Sequence, residues 1–75
     1  MSEKTVYDYT KLKNKIKDDN IKQKDIAVKA KMSPSTLSLK LNNKGQFYQD
    51  EIMRICNILK IKDAELSSYF FTLKV

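Results

Sequence analysis

An all-α fold, a compact bundle of about five short helices, is predicted by three features of this 75-residue sequence. One glycine and one proline are too few for a turn-rich β fold. Apolar residues recur at helical spacing in several segments. With 41% hydrophobic and 32% charged residues, the chain is polar yet able to form a core, so we expect a folded domain. The length fits a single domain over residues 1–75.

Helix 1 is predicted over residues 9–18, where Tyr9, Leu12 and Ile16 are spaced as one helix face. Asp8 is placed to cap its free N–H groups, and Asn20 suits a left-handed helix end. Helix 2 is predicted over residues 23–30, with Asp25 in its first turn and Lys22 as a poor cap. We expect helix 2 to bury Ile26, Ala27 and Ala30.

Helix 3, over residues 34–41, has the clearest start in the chain, because Ser33 is a favoured N-cap and Pro34 suits the first helical position. Leu37 and Leu41 should face inward. Residues 42–45 read as a loop. Helix 4 is predicted over residues 49–60, with an apolar face of Ile52, Ile55, Cys56 and Leu59.

A short helix 5 is predicted over residues 63–69, with Leu66 facing inward. The tail, residues 69–75, fits either a last helical turn or an edge strand. Its aromatic residues Tyr69, Phe70 and Phe71 either close the core under helix 1 or project as a dimer contact. One domain this small can contact only a short stretch of a binding partner, so specific recognition would need two copies. We therefore expect a weak homodimer formed through this tail.

The residue inventory excludes most catalytic and metal-binding chemistry. With no histidine and one cysteine, Cys56, the chain offers no imidazole base, no internal disulfide and no zinc site. We therefore expect no enzyme, no cofactor and no small-molecule substrate, and we expect Cys56 to be a buried, inert thiol. The longest apolar run has three residues, so we expect no membrane span, and a lone cysteine fits the cytoplasm.

The net charge of +6 belongs to one half of the chain. Residues 1–44 contain eleven lysines and five acidic residues, whereas residues 45–75 contain four basic and four acidic residues. A basic half joined to a neutral half indicates one face for a polyanion and another for packing or partners. Lysine-rich solubility explains the charge alone equally well.

Residues 23–42, QKDIAVKAKMSPSTLSLKLN, have the spacing of a DNA-binding helix-turn-helix. That motif needs a small residue where its helices cross, an apolar residue in the turn and an apolar anchor on the second helix. Ala27, Met32 and Leu37 meet these needs. A three-helix bundle with coincidental spacing is the alternative interpretation.

The segment resembles the helix-turn-helix of the Cro and phage-repressor family, also called the XRE family. YDYTKLKNKIK before it, TLSLKLNNKGQFYQDEIMRICNILKI across the middle and YFF near the end extend the resemblance over about residues 7–71. It implies a lambda-repressor-like DNA-binding fold. Two positions depart from the family pattern. Lys31 stands where a turn glycine is usual, which predicts either modest left-handed strain at this residue or a turn that is built differently. Lys40 stands where many members bury an apolar side chain, a role that Leu41 is then expected to take.

The resemblance also implies which positions read DNA. Gln23 matches a residue that hydrogen-bonds a phosphate, and Pro34, Ser35 and Leu39 match positions that reach base edges, with Ser38 adjacent. Leu39 alternatively belongs to the core. Because no long polar side chain stands at these positions, specificity should depend on A·T content and groove shape. The predicted DNA-binding residues are Gln23, Ser33, Pro34, Ser35, Thr36, Ser38, Leu39, Lys40, Asn43 and Lys44.

The predicted function is a Cro-like transcriptional repressor in the cytoplasm or nucleoid of a bacterial host, which occupies an A·T-rich, palindromic operator and so excludes polymerase. The alternative is a protein-interaction module, such as an antirepressor or an antitoxin partner, that kept the fold with little DNA affinity. RNA binding would require exposed aromatic residues on a sheet or loop, and the sequence indicates none.

Overall fold

The computed structural model describes residues 6–74, in which the all-α prediction is confirmed. The helices are Thr10–Asp18 (α1), Gln23–Lys29 (α2), Pro34–Leu41 (α3), Gln49–Leu59 (α4) and Leu66–Phe70 (α5). A single 3₁₀ turn, Asp63–Glu65, leads into α5. Each helix lies within a residue or so of its predicted range, except that helix 5 divides into this turn and α5. Over the described residues, no helix is both long and apolar enough to cross a membrane.

Helices α1 to α4 end in the same way, although none has a glycine at its end. The residues Asn20, Lys31, Asn43 and Lys60 have φ of 57°, 62°, 61° and 57°, respectively. The next N–H in each case reaches back five residues to a helix carbonyl, as in the bond of 2.9 Å from Met32 to Ala27. The predicted left-handed residues Asn20 and Lys31 are therefore confirmed.

Helix starts follow the sequence signals where a capping side chain is present. The Thr10 N–H donates to Asp8 Oδ1 at 2.9 Å, and the Thr36 N–H donates to Ser33 Oγ at 3.1 Å. Lys22 precedes α2 and makes no side-chain cap, as its chemistry predicts. The cap at the start of α4 was not predicted from the sequence. There Glu51 Oε1 accepts the Tyr48 N–H at 2.9 Å and so caps the helix.

The core lies where α2 packs on α3 and α4, and where α1 packs on α5. All the inward-facing aliphatic positions predicted for helices 1 to 4 are buried, as is Cys56, and Met32 packs partly buried against them. Leu41 is buried, as expected for the apolar anchor of helix 3, and the neighbouring Lys40 is buried as well. Buried core residues are Tyr9, Leu12, Ile16, Ile26, Ala27, Ala30, Leu37, Leu41, Ile52, Ile55, Cys56, Leu59, Ile61, Tyr69 and Phe70.

The C-terminal aromatic residues divide between core and surface. Tyr69 and Phe70 are buried, so the predicted dimer contact through these two residues is wrong for this monomer, whereas Phe71 stays half exposed. The Phe70 ring meets Phe47 edge to face at 5.4 Å, and Phe47 meets Tyr9 at the same distance. The helical alternative for the tail holds as far as Phe70, where α5 ends. Leu73 then makes an isolated antiparallel bridge with Tyr7, and the described residues form no strand.

Replacing Leu37 with alanine should lower the free energy of unfolding by about 2–4 kcal/mol, because Leu37 is 1% exposed and its loss leaves a cavity. Leu39→Ala on the opposite face of α3 is the matched control and should change stability by less than about 0.5 kcal/mol. Urea denaturation of both variants makes the comparison. Equal losses would show that the faces of α3 are assigned wrongly.

Candidate nucleic-acid interface

The turn between α2 and α3 holds the two helices in a fixed relation. The Lys31 N–H donates to the Val28 carbonyl at 3.1 Å, and the Met32 N–H donates to the Ala27 carbonyl. Ala27 is fully buried at the crossing, as the sequence predicts. The left-handed φ of Lys31 turns the chain sharply, so only four residues separate the end of α2 from the start of α3.

Ser33 and Thr36 satisfy each other at the start of α3. The Ser33 hydroxyl donates to Thr36 Oγ1 at 2.8 Å while its oxygen accepts the Thr36 N–H. Both hydroxyls are thus engaged in capping α3, although the pair is open to solvent. Their predicted contact with DNA stays a prediction: the Thr36 hydroxyl can still donate its hydrogen, whereas the Ser33 hydroxyl has already donated its own.

One stripe of α3 faces solvent. Ser35, Ser38, Leu39 and Asn42 follow helical spacing opposite the buried Leu37, and we call these four residues the α3 stripe. Leu39 is 49% exposed, so its alternative assignment to the core is wrong. Pro34 is exposed at the N-terminal end of the stripe.

Lys40 does not belong to this surface, which corrects its predicted contact with DNA. Its side chain is 9% exposed, and its Nζ lies 2.5 Å from Glu51 Oε1. The same ammonium lies 4.5 Å from the centre of the Tyr48 ring. Because the charge is paired and covered, Lys40 joins α3 to the start of α4 and is not available to a phosphate.

Asn43 is the second predicted DNA contact that the structure assigns elsewhere. Its Oδ1 accepts the Tyr7 N–H at 2.9 Å, and its Nδ2 donates to the Tyr7 carbonyl at 2.8 Å. Both ends of the amide are therefore used within the fold. Asn43 ties the loop after α3 to the N-terminal segment.

Exposed lysines surround the α3 stripe in the sequence from residue 22 to residue 44. Asp25 is the single acidic residue in that stretch, and Gln23 is exposed at the first position of α2. Lys44, a predicted DNA contact, is also exposed. This stretch of chain therefore combines an excess of exposed positive charge with the uncharged α3 stripe. Its exposed lysines are Lys22, Lys24, Lys29, Lys31 and Lys44.

Sequence reasoning places Lys13 among the solvated lysines, some of which contact phosphate, and it assigns no role to Asn42 or Val28. The Lys13 Nζ of α1 lies 3.4 Å from Asn42 Oδ1, and Asn42 Nδ2 donates to the Ser38 carbonyl at 2.8 Å. Lys13 thus adds a cation at the end of the α3 stripe. Val28 on α2 is 69% exposed. Asn42 was readable from its position seven residues after Ser35, but the Lys13 contact joins residues 29 apart.

The shifted titratable groups lie away from the α3 stripe. A hydrogen bond with the Thr10 side chain lowers the pKa of Asp8. Burial raises the pKa of Tyr9 and that of the Cys56 thiol, which keeps the thiol protonated and unreactive. No three potential metal-ligating carboxylate or thiol side chains cluster anywhere between residues 6 and 74.

Two comparisons with known proteins give matches. The family model described as "Protein of unknown function (DUF739)" matches residues 5–73. The solution structure of the modulator of repression (MOR) of the temperate bacteriophage TP901-1 from Lactococcus lactis is similar, with a TM-score of 0.70 and 35% sequence identity. The likeness covers 87% of this chain and 88% of that one. No curated protein matches the chain.

Proposed function

Because this chain belongs to the DUF739 family and is similar over most of its length to a phage modulator of repression, we propose that it is a regulator of phage repression that binds double-stranded DNA through α2 and α3. In this proposal α2, the turn and α3 are a helix-turn-helix whose second helix enters the major groove. The protein acts by occupancy, as the resemblance to Cro-like repressors implies, and catalyses nothing.

The observation that carries the proposal is the uncharged α3 stripe within a stretch of chain whose exposed lysines outnumber its acidic residues. Phosphates attract the lysines whatever the base sequence, and the stripe is then brought against the base edges. Serine pairs with several bases, whereas Leu39 and Pro34 offer apolar contact to thymine methyl groups. The operator should therefore be A·T-rich, and its shape should contribute to specificity.

A second candidate, a protein-interaction module, is favoured by the exposed apolar side chains of Val28 and Leu39. Apolar side chains exposed on α2 and α3 are also suited to contact with a protein partner. The name of the similar phage protein states an effect on repression and does not name the molecule it binds. Both candidates use the same surface, so the experiment must separate DNA from protein.

Selection of bound sites from a random duplex library tests the proposal directly. Enrichment of an A·T-rich sequence, followed by salt-dependent binding of the selected duplex, supports DNA binding. If no sequence is enriched and no duplex is retained at low salt, the DNA proposal fails and the protein-interaction candidate replaces it.

Variants of the residues assigned to bases and of the residue assigned to a phosphate should change the affinities for selected and random duplex DNA differently. Ser35→Ala combined with Leu39→Ala should weaken binding to the selected duplex roughly tenfold to a hundredfold while sparing random duplex. Gln23→Ala should weaken binding to both duplexes alike, because it is assigned to a phosphate. Fluorescence anisotropy with the two duplexes measures this. The reverse pattern would mean that α3 is not the recognition helix.

A further inference from the structure

A groove of about 550 Å³ lies between the N-terminal segment, the loop after α3 and the end of α5, and we call it the aromatic groove. A series of aromatic rings forms its wall. Neighbouring rings in this series have centres between 5.4 and 6.1 Å apart, in the order Phe71, Tyr7, Tyr9, Phe47 and Phe70. Because Phe71 is 48% exposed and Phe70 is buried, the wall extends from the surface to the core. Sites that hold a ligand have volumes of about 300–1,000 Å³, a range that includes this groove.

Two tyrosine hydroxyl groups of the aromatic groove have no partner among residues 6–74. The Tyr9 residue is only 6% exposed, yet its hydroxyl makes no hydrogen bond within this range and is not fully covered. Tyr7 bonds other residues of this range only through its backbone N–H and carbonyl. Burial, together with the neighbouring Tyr7, raises the pKa of Tyr9, so this hydroxyl keeps its proton at neutral pH. A buried ring whose hydroxyl opens to a groove offers a hydrogen-bond donor to a ligand.

The loop after α3 adds further donors to the aromatic groove. The backbone N–H groups of Gly45, Gln46 and Phe47 donate to no residue between 6 and 74, and all three residues line the groove. Lys44 is exposed and has the only charged side chain among the described residues that line it. Free N–H groups and an ammonium group both favour a carboxylate, so the charge of the groove indicates an anionic ligand.

We propose that the aromatic groove binds a short apolar peptide segment of another protein that carries a carboxylate side chain. The rings contact the apolar side chains of the peptide, while the Lys44 ammonium and the Tyr9 hydroxyl bind its carboxylate. The free N–H groups of the loop donate to the peptide carbonyls. An occupant with several side chains is favoured because the rings and the donors are spread along the groove. None of the four α3 stripe residues lines it, and the site does not depend on the proposed function.

Titration of the natural chain with blocked peptides tests the site without DNA. The peptide acetyl-Glu-Phe-Glu-Leu-amide should bind about tenfold more tightly than the matched neutral peptide acetyl-Gln-Phe-Gln-Leu-amide, because charge-assisted hydrogen bonds are stronger than neutral ones. In ¹H–¹⁵N spectra the amide signal of Gly45, the only glycine of the chain, should shift, and that of Val28 on α2 should not. An unchanged Gly45 signal at about 1 mM acidic peptide overturns the proposal, as does equal affinity for the two peptides.

Variants of the donors locate the peptide. Tyr9→Phe keeps the ring and removes the hydroxyl, so it should weaken binding of the acidic peptide about threefold to tenfold. Tyr48→Phe makes the same change at an exposed tyrosine outside the groove and should leave binding unchanged. Lys44→Gln, at an exposed position where folding is not at risk, should remove the preference for the acidic peptide. Circular dichroism checks that each variant is folded. A preference that persists in Lys44→Gln overturns the proposal.

Three further measurements identify other occupants, and each would overturn the proposed partner. If N-acetylphenylalanine, with one ring and one carboxylate, binds as tightly as the acidic peptide, the ligand is a small molecule. If the acidic peptide binds only after residues 2–5 are removed, the N-terminal segment of the chain itself is the occupant. If concentrating the natural chain alone shifts the Gly45 signal, the occupant is a second copy.

Discussion

Glu51→Ala is expected to lower the free energy of unfolding by about 3–5 kcal/mol, a large share of the stability of so small a domain. Glu51 is the carboxylate that pairs the buried Lys40 ammonium, and it also accepts the Tyr48 N–H. Without it, the cation loses its partner while the surrounding structure still shields it from water. The first turn of α4 loses its cap at the same time.

Two further variants isolate the cause of that loss. Asp50→Ala removes an exposed carboxylate from the same first turn and should cost less than about 1 kcal/mol. Combining Lys40→Met with Glu51→Gln removes both charges with similar shapes and should recover most of the stability. Urea denaturation of the three variants measures this. If Glu51→Ala lowers the free energy of unfolding no more than Asp50→Ala does, the Lys40 ammonium is hydrated. Its removal from the set of predicted DNA contacts is then wrong.

The affinity for duplex DNA should fall about a thousandfold between roughly 50 and 200 mM salt. Five exposed lysines between residues 22 and 44, together with Lys13, offer six cations for phosphates. Neutralising about six phosphates predicts a slope of log affinity against log salt near −5, because bound counterions are released. Fluorescence anisotropy over a salt series measures the slope.

A charge-matched pair of variants locates the phosphate contacts. Lys44→Gln should bring the slope to about −4, since one released counterion is lost. Lys62→Gln removes an equal charge from the neutral half and should leave the slope unchanged. A flat salt response in the natural protein would contradict the DNA proposal altogether. Equal effects of the two variants would place the DNA on a different face.

Much of the fold was predictable because its signals are local. Ser33 and Pro34 mark the start of α3 by chemistry that needs no tertiary contact, and the spacing of Ile52, Ile55 and Leu59 marks the buried face of α4. The exposed α3 stripe follows from the same helical period. These elements depend on neighbours within a turn or two, which the sequence displays directly.

The corrections concern contacts between distant residues. The sequence alone predicts that Lys40 contacts DNA, because it does not show that Glu51, eleven residues later, pairs with the Lys40 ammonium. The sequence alone predicts that Asn43 is a loop residue facing DNA, because it does not show that the Asn43 amide hydrogen-bonds the backbone of Tyr7, thirty-six residues earlier. Burial of Tyr69 and Phe70 depends on where the aromatic rings of other segments meet. No local pattern contains that information, so each error is one of tertiary placement.

The four glycine-free helix ends have a consequence for the lifetime of the protein. A left-handed conformation costs a residue with a side chain up to about 1–2 kcal/mol, less for asparagine than for lysine. Lys31 and Lys60 therefore take stability from a domain whose small core supplies little. A narrower stability margin increases the unfolded fraction that proteases cut. We expect such a regulator to disappear soon after its synthesis stops, so that its concentration follows the activity of its own gene.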